Sequence, residues 1–274
     1  MLPPVAMSGS CNDGIIKGET VRSIRLLGAL LCAGLLQSLA PDLRAEALTL
    51  YLAGDSTMAP KVAEKRPETG WGEALQAWFD EGAVRVENHA RNGRSTRTFI
   101  EEGRWQAIVE ALSPGDYVFI QFGHNDGSEH KTDRYTPPAD YRANLVRFVR
   151  EVRDAGGNPV LMTPVMRRRY DERGSFFDTH GPYPGLVRTL ASEATVPLLD
   201  MHRDSGALLL ERGSEASRSL FLILAPGVFP NYPDGLDDNT HFSPEGARIM
   251  AGIAVQEIRQ ALPELAAHLR GGAN

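Results

Sequence analysis

Cysteine is nearly absent: there are two in 274 residues, Cys11 and Cys32, and both fall within the first 47 positions. A domain that begins after them contains none, which excludes disulfides, thiolate metal sites and a cysteine nucleophile. An excess of positive charge is missing too. The formal net charge is −6, so nucleic acid is not expected as a partner. No apolar run is long enough to span a bilayer comfortably, and no repeat or low-complexity tract interrupts the chain. The G-x-S-x-G elbow is lacking, which argues against an α/β-hydrolase. There is no H-E-x-x-H pair and no glycine-rich phosphate loop either, so neither a metal nor another cofactor is expected.

What the chain does contain begins with a leader. "VRSIRLLGALLCAGLLQSLAPDLRAEA" sets Arg22 and Arg25 before an apolar run from Leu26 to about Leu39, followed by Ala45-x-Ala47. That order is the pattern of a secretory signal peptide; an uncleaved membrane anchor is the alternative. Leu30-Leu31 stand directly before Cys32, where a lipoprotein signal wants small residues. The polar stretch Met1–Thr20 is either a long n-region or lies upstream of the true start. The chain is therefore expected to divide into residues 1–47, extension and signal peptide, and one domain over 48–274. That domain is expected to be secreted or periplasmic, monomeric by default, and without stable membrane association once the leader is removed.

In the domain, short apolar runs alternate with longer amphipathic stretches. Leu48–Ala53, Ala83–Ala90, Tyr117–Gly123, Asn158–Val165 and Val196–Met201 are read as strands, each bounded by Gly, Pro or Asn. Helices are expected over Gly70–Asp80, over Tyr141–Gly157, and from Pro244 to about Leu262. In the second, Leu145, Phe148, Val149 and Val152 recur at helical spacing; the third has Ser243 at its N-cap and Pro244 at its first position. Strands alternating with helices imply a five-stranded parallel sheet covered on both faces, an α/β/α sandwich. Such sheets bind ligands in the loops beyond the carboxyl ends of their strands.

Those loops carry unusual chemistry. The first strand ends in Gly54-Asp55-Ser56, the second runs into "ARNGRSTRTF", and the third ends in "GHNDG". Far downstream, "DGLDDNTHFSPEG" places Asp238 three residues before His241. A serine at a strand-to-helix turn is usually a cap. Acyl transfer needs a nucleophile, a base, a group that orients the base, and donors for an oxyanion. Ser56, His241 and Asp238 can supply the first three, with Asp238 and His241 on one side of a helix-like turn. The backbone N–H groups of Ser56 and Gly93 and the Asn125 amide can supply the donors. Each residue also has a duller reading: a turn cap for Asp238, an Asx-turn for Asn125, a loop histidine for His241. His124 and Asp126 have no role in this scheme and are read as loop braces. The histidines of "THGPYP", "MHRD" and "NTHF" lie in separate segments without metal-ligand spacing.

Together, "GDST", "NGRSTRTF", "FGHND" and "DNTHF" resemble the blocks of the GDSL/SGNH hydrolases, whose four name-giving residues fall on Ser56, Gly93, Asn125 and His241. More narrowly, "GRW", "PGDYVFIQFGHND", "TPVMRRRY" and "DNTHFSPEGA" resemble the rhamnogalacturonan acetylesterase branch. The likeness runs in order through nearly all of Leu48–Leu262. It implies a flavodoxin-like α/β/α sandwich and removal of acetyl groups from plant cell-wall polysaccharide. Asp238 matches the family's D-x-x-H acid. "HARNGRS" departs from the pattern, because relatives often carry small or apolar residues where Arg91 stands.

An argument independent of the resemblance points the same way. Pectic backbones carry galacturonate carboxylates, which a guanidinium binds at two points. Arg91, Arg94 and Arg97 crowd one loop and Arg167, Arg168 and Arg169 another, so Arg91, Arg94, Arg167 and Arg168 are candidate substrate-binding residues. The alternative is that they pair with Glu101, Glu102 or Asp171. Rival readings are a xylan or small-sugar deacetylase, a short-chain lipase or arylesterase, and a silent glycan-binding module. The last predicts loss of Ser56, Asp238 or His241, and all three are present.

Overall fold

The computed structural model describes residues 47–271. The signal-peptide reading and both cysteines fall on residues 1–47 and so, Ala47 apart, lie outside the described residues.

The five apolar runs form one parallel sheet. Its strands are β1 (Leu48–Gly54), β2 (Val84–Asn88), β3 (Tyr117–Gln121), β4 (Asn158–Met162) and β5 (Leu198–Leu199), in the order β2-β1-β3-β4-β5. Four of the strands stop short of the expected runs because the chain peels away at their carboxyl ends into loops. In the extreme case β5 keeps two residues. The Asp200 carboxylate immediately caps helix α5 (Met201–Ala216), accepting from Arg203 N–H.

Alternate residues face opposite layers, as the two-residue period of a strand requires. Leu50, Leu52, Phe119, Val160 and Met162 pack with Met201 and Leu209 of α5 and with the apolar stripe of α6 (Pro244–Ala261). Tyr51, Ala53, Val118, Ile120 and Leu161 pack on the other side. There they meet α1 (Thr96–Glu101), α2 (Arg104–Ala111), α3 (Pro138–Asp154) and α4 (Tyr183–Glu193). Every residue of β3 is buried, which accounts for a continuous apolar run where an alternating one marks a half-wet strand. The architecture is the expected three-layer α/β/α sandwich.

Three local expectations need correction. Gly70–Asp80 is not an α-helix but two 3₁₀ turns, Trp71–Ala74 and Gln76–Trp78. Its backbone lies against the turn after β1: a Cβ on Gly70 would stand 2.1 Å from Ala59 O, and one on Gly72 2.7 Å from Met58 O. Helix α3 begins at Pro138, three residues before Tyr141, because proline is well placed in a first turn. Helix α6 starts as expected, with Ser243 Oγ accepting from Gly246 N–H at 3.1 Å.

The third correction concerns Asp238 and His241. They do not sit on a helix-like turn but on β7 (Leu236–Phe242), paired antiparallel with β6 (Phe221–Leu224). Neither strand was read from the sequence. The ribbon is bulged: Phe221 pairs with Phe242, while the next residue, Leu222, pairs with Asp238. Asn239, Thr240 and His241 therefore form the bulge. Among the described residues no helix is long and apolar enough to cross a membrane.

Candidate active site

Ser56 lies just beyond the carboxyl end of β1. Its hydroxyl caps no helix; its hydrogen-bond partner is His241 Nε2, 2.8 Å away. The turn that presents it is held from below. Asp55 is fully buried, and its Oδ1 accepts from Thr57 N–H and Thr57 Oγ1, both at 2.9 Å. Its Oδ2 lies 3.1 Å from His124 Nδ1. Burial pushes this carboxyl up, but the bonds from His124 and Thr57 prevail and hold it at about 2. Burial also pushes the His124 pKa down, against the pull of the Asp55 carboxylate. Gln121, the last residue of β3, extends the brace: its amide donates to Thr57 Oγ1 and accepts from Trp71 Nε1. Each bond is worth about 1 kcal/mol net, while stranding a buried partner costs about 1–3 kcal/mol.

The imidazole that faces Ser56 comes from the ribbon. Asp238 Oδ2 lies 2.7 Å from His241 Nδ1. Its Oδ1 accepts from Thr240 N–H and His241 N–H at 2.8 and 3.0 Å, so one carboxylate both folds the bulge and orients the ring. Burial raises the Asp238 pKa, but the hydrogen bond and charge of His241 outweigh it and leave the group at about 2. An ionised Asp238 beside Nδ1 favours the hydrogen on that nitrogen, which turns Nε2 to Ser56 Oγ as acceptor.

Ser56, Asn125, Asp238 and His241 share the wall of an open cleft of about 500 Å³. Asn125 donates one amide hydrogen to Arg94 O at 2.9 Å, which leaves the other for a ligand. Gly93 stands in the turn after β2 with φ +76°, a left-handed conformation that glycine adopts without strain. Arg91 N–H donates to Gly54 O, tying this turn to the end of β1.

The arginine expectation is half corrected. Arg94 is engaged by Glu102, and Arg168 by Ser217, Asn239 and the Ser214 carbonyl, so neither is free for a ligand. Arg97 pairs with Glu101. Arg91 is exposed and does not line the cleft. The cations that do line it are Arg167, Arg169 and Lys131. Arg167 is anchored on Thr179 and on the His124 carbonyl; Lys131 was not anticipated.

Two histidines that the sequence keeps apart meet in space. His180 Nδ1 lies 2.7 Å from Asp178 Oδ1, and His202 Nε2 lies 3.1 Å from Asp178 Oδ2. The three offer a metal-like donor set. Arg188 donates to His202 Nδ1, so the ring hydrogen belongs on Nε2, a buried atom that lies near Asp178 Oδ2 without hydrogen-bonding to it. Only His180 is hydrogen-bonded to Asp178, and among the described residues the Nε2 atoms of both rings are buried without a partner.

The profile of the GDSL-like lipase/acylhydrolase family matches residues 52–249. The chain belongs to that family. It is 41% identical over 222 residues to the rhamnogalacturonan acetylesterase RhgT of Bacillus subtilis, covering 81% of this chain and 94% of the relative. The Emericella nidulans rhamnogalacturonan acetylesterase is 30% identical over 240 residues, covering 81% of this chain and 88% of the relative. Among solved structures, the YxiM protein of B. subtilis superposes with a TM-score of 0.67 at 27% identity, over 78% of this chain and 56% of its own. The acetylxylan esterase Axe2 of Geobacillus stearothermophilus shares the fold, with a TM-score of 0.56 at 22% identity over 78% and 95%.

Sequence reasoning missed Lys61 and Gln121 in this family member's site. Neither was singled out in the sequence, because nothing local marks the lysine of "MAPKVAEK" as buried or the glutamine of "YVFIQFG" as a brace. His124 and Asp126, read as braces, do brace: His124 holds Asp55, and Asp126 accepts from Thr96 N–H and Oγ1.

Proposed function

We propose that this chain is a serine O-acetylesterase acting on acetylated pectic polysaccharide, with rhamnogalacturonan as substrate, in a secreted or periplasmic setting. The observation that carries the reading is the unbroken chain Ser56 Oγ, His241 Nε2, His241 Nδ1, Asp238 Oδ2, with links of 2.8 and 2.7 Å. Ser56 Oγ attacks the acetyl carbonyl while its proton passes to His241 Nε2, and Asp238 stabilises the imidazolium. The Ser56 and Gly93 N–H groups and the Asn125 amide receive the oxyanion. Collapse returns the proton to the departing sugar oxygen, leaving an acetyl-enzyme. His241 then activates water to release acetate. Arg167, Arg169 and Lys131 supply positive charge for galacturonate carboxylates. The likeness to two rhamnogalacturonan acetylesterases supports the choice of polymer.

The test is acetate release from acetylated rhamnogalacturonan, acetylated xylan and 4-nitrophenyl acetate by the wild type and Ser56→Ala. Preference for the pectic polymer, with at least about a 10⁴-fold loss in the variant, is expected. Cleavage of the small ester alone removes the pectin assignment. A variant as active as wild type removes Ser56 as nucleophile.

A further inference from the structure

Lys61 is a buried cation with no place in the scheme above. Its relative exposure is 7%, and all three ammonium hydrogens have an acceptor. They go to the Ser56 carbonyl at 2.5 Å, Asn92 Oδ1 at 2.8 Å and Glu68 Oε1 at 2.8 Å. A lysine in an apolar setting is costly unless paired, and Glu68 balances the charge. A solvent-facing lysine forming one salt bridge explains the third contact but not the first two.

The first two contacts join the two backbone segments that hold the proposed oxyanion donors. The peptide linking Ser56 to Thr57 is gripped at both ends: Lys61 takes its carbonyl oxygen, and Asp55 takes its N–H. That grip sets the orientation of Ser56 in the turn. The Asn92 contact takes hold of the residue before Gly93, in a turn closed by Arg94 N–H donating to Arg91 O. An oxyanion hole works by preorganisation, with donors already aimed at where charge will develop. The Ser56 turn follows β1 and the Gly93 turn follows β2; Arg91 N–H to Gly54 O ties them at the strand ends, and Lys61 adds a second tie at Ser56 and Asn92, next to the proposed donors.

We propose that Lys61 is a positioning residue for the reaction: its ammonium locks the Ser56 turn to the Asn92–Gly93 turn and so sets the spacing of the oxyanion donors. The proposal rests on the serine-esterase reading. The experiment compares wild type, Lys61→Met and Asn92→Ala on 4-nitrophenyl acetate. It measures kcat, KM, thermal midpoint and inhibition by methylboronic acid, whose tetrahedral adduct with Ser56 places an oxygen where the oxyanion forms.

In Lys61→Met, kcat is expected to fall about 10- to 100-fold with KM within about threefold, since a shift near 1 Å costs up to about 10²-fold. The boronic acid should weaken by a similar factor. Lys61→Met also leaves Glu68 unpaired, so Asn92→Ala guards against a folding defect; it keeps the Lys61–Glu68 pair and should lower kcat about 3- to 10-fold with a smaller fall in thermal midpoint than Lys61→Met. Unchanged kcat in Asn92→Ala, or a Lys61→Met loss that lies in KM or leaves boronic-acid affinity intact, overturns the proposal while the esterase reading stands. A wild type that hydrolyses no acetyl ester overturns both.

Discussion

The two sides of the cleft are built by different physics. Ser56 and Asn125 extend from the ends of β1 and β3, strands buried on both faces. Beneath them Asp55, Thr57, Gln121 and His124 form a buried network. Asp238 and His241 belong to a two-stranded ribbon, and each side chain is 26% exposed. Redundant packing fixes the Ser56 side, whereas one carboxylate folds the bulge and aims the ring on the other. The sheet side therefore couples function to stability, and the ribbon side separates them.

The largest expected effect breaks the ribbon side alone. Asp238→Asn keeps the oxygen that accepts from Thr240 and His241 but loses the charge and the tautomer control. A fall in kcat of about 10³–10⁴-fold is expected, with the thermal midpoint little moved because the site is part-exposed. A midpoint lowered by many degrees would show that the ribbon shares the stability of the sheet. Next comes Asn125→Ala, expected to lower kcat about 10²–10³-fold while KM changes little, since its free amide hydrogen acts on developing charge. Steady-state kinetics on a soluble acetyl ester separates the two parameters.

The smallest effect probes the sheet side through stability. Burial pushes Asp126 up to about 7, although Thr96 hydrogen bonds oppose it. A carboxyl whose folded pKa is raised lends stability that is fully present below its unfolded value near 3.8 and is lost as pH rises toward about 7. Denaturant melts of Asp126→Asn from pH 4 to 7.5 should lack that decline, a difference of at most a few kcal/mol. An identical slope in wild type and variant would mean that Asp126 is ionised throughout.

The legible parts are those that depend on local patterning. Continuous apolar runs marked four strands to within a few residues, and the Ser243-Pro244 start of α6 could be read directly because a cap and a first-turn proline are local chemistry. Gly70–Asp80 misled because its helical spacing of apolar residues says nothing about the Ala59 and Met58 carbonyls that crowd Gly70 and Gly72. The ribbon was missed because "LDDNTHF" is too polar to read as a strand; it pairs because β6 lies beside it, and Asp238 supplies the hydrogen bonds that its bulge lacks. For the arginines, the charge pattern was visible but the partners were not. Glu102, Asn239 and the Ser214 carbonyl lie 8, 71 and 46 residues from the arginines they engage.

By itself the sequence determined which side chains were available and which runs would form the sheet, because residue type and the two periodicities are properties of the chain. It thereby determined Ser56, Asn125, Asp238 and His241 as the residues to bring together. Only the tertiary structure decided that Ser56 Oγ stands 2.8 Å from a ring 185 residues away. It alone turned Arg167 and Lys131, rather than Arg94, to the cleft, and buried Lys61 among Ser56 O, Asn92 and Glu68. The physical reason is that distance and desolvation, which set the strength of a hydrogen bond or an ion pair, exist only once distant segments are packed.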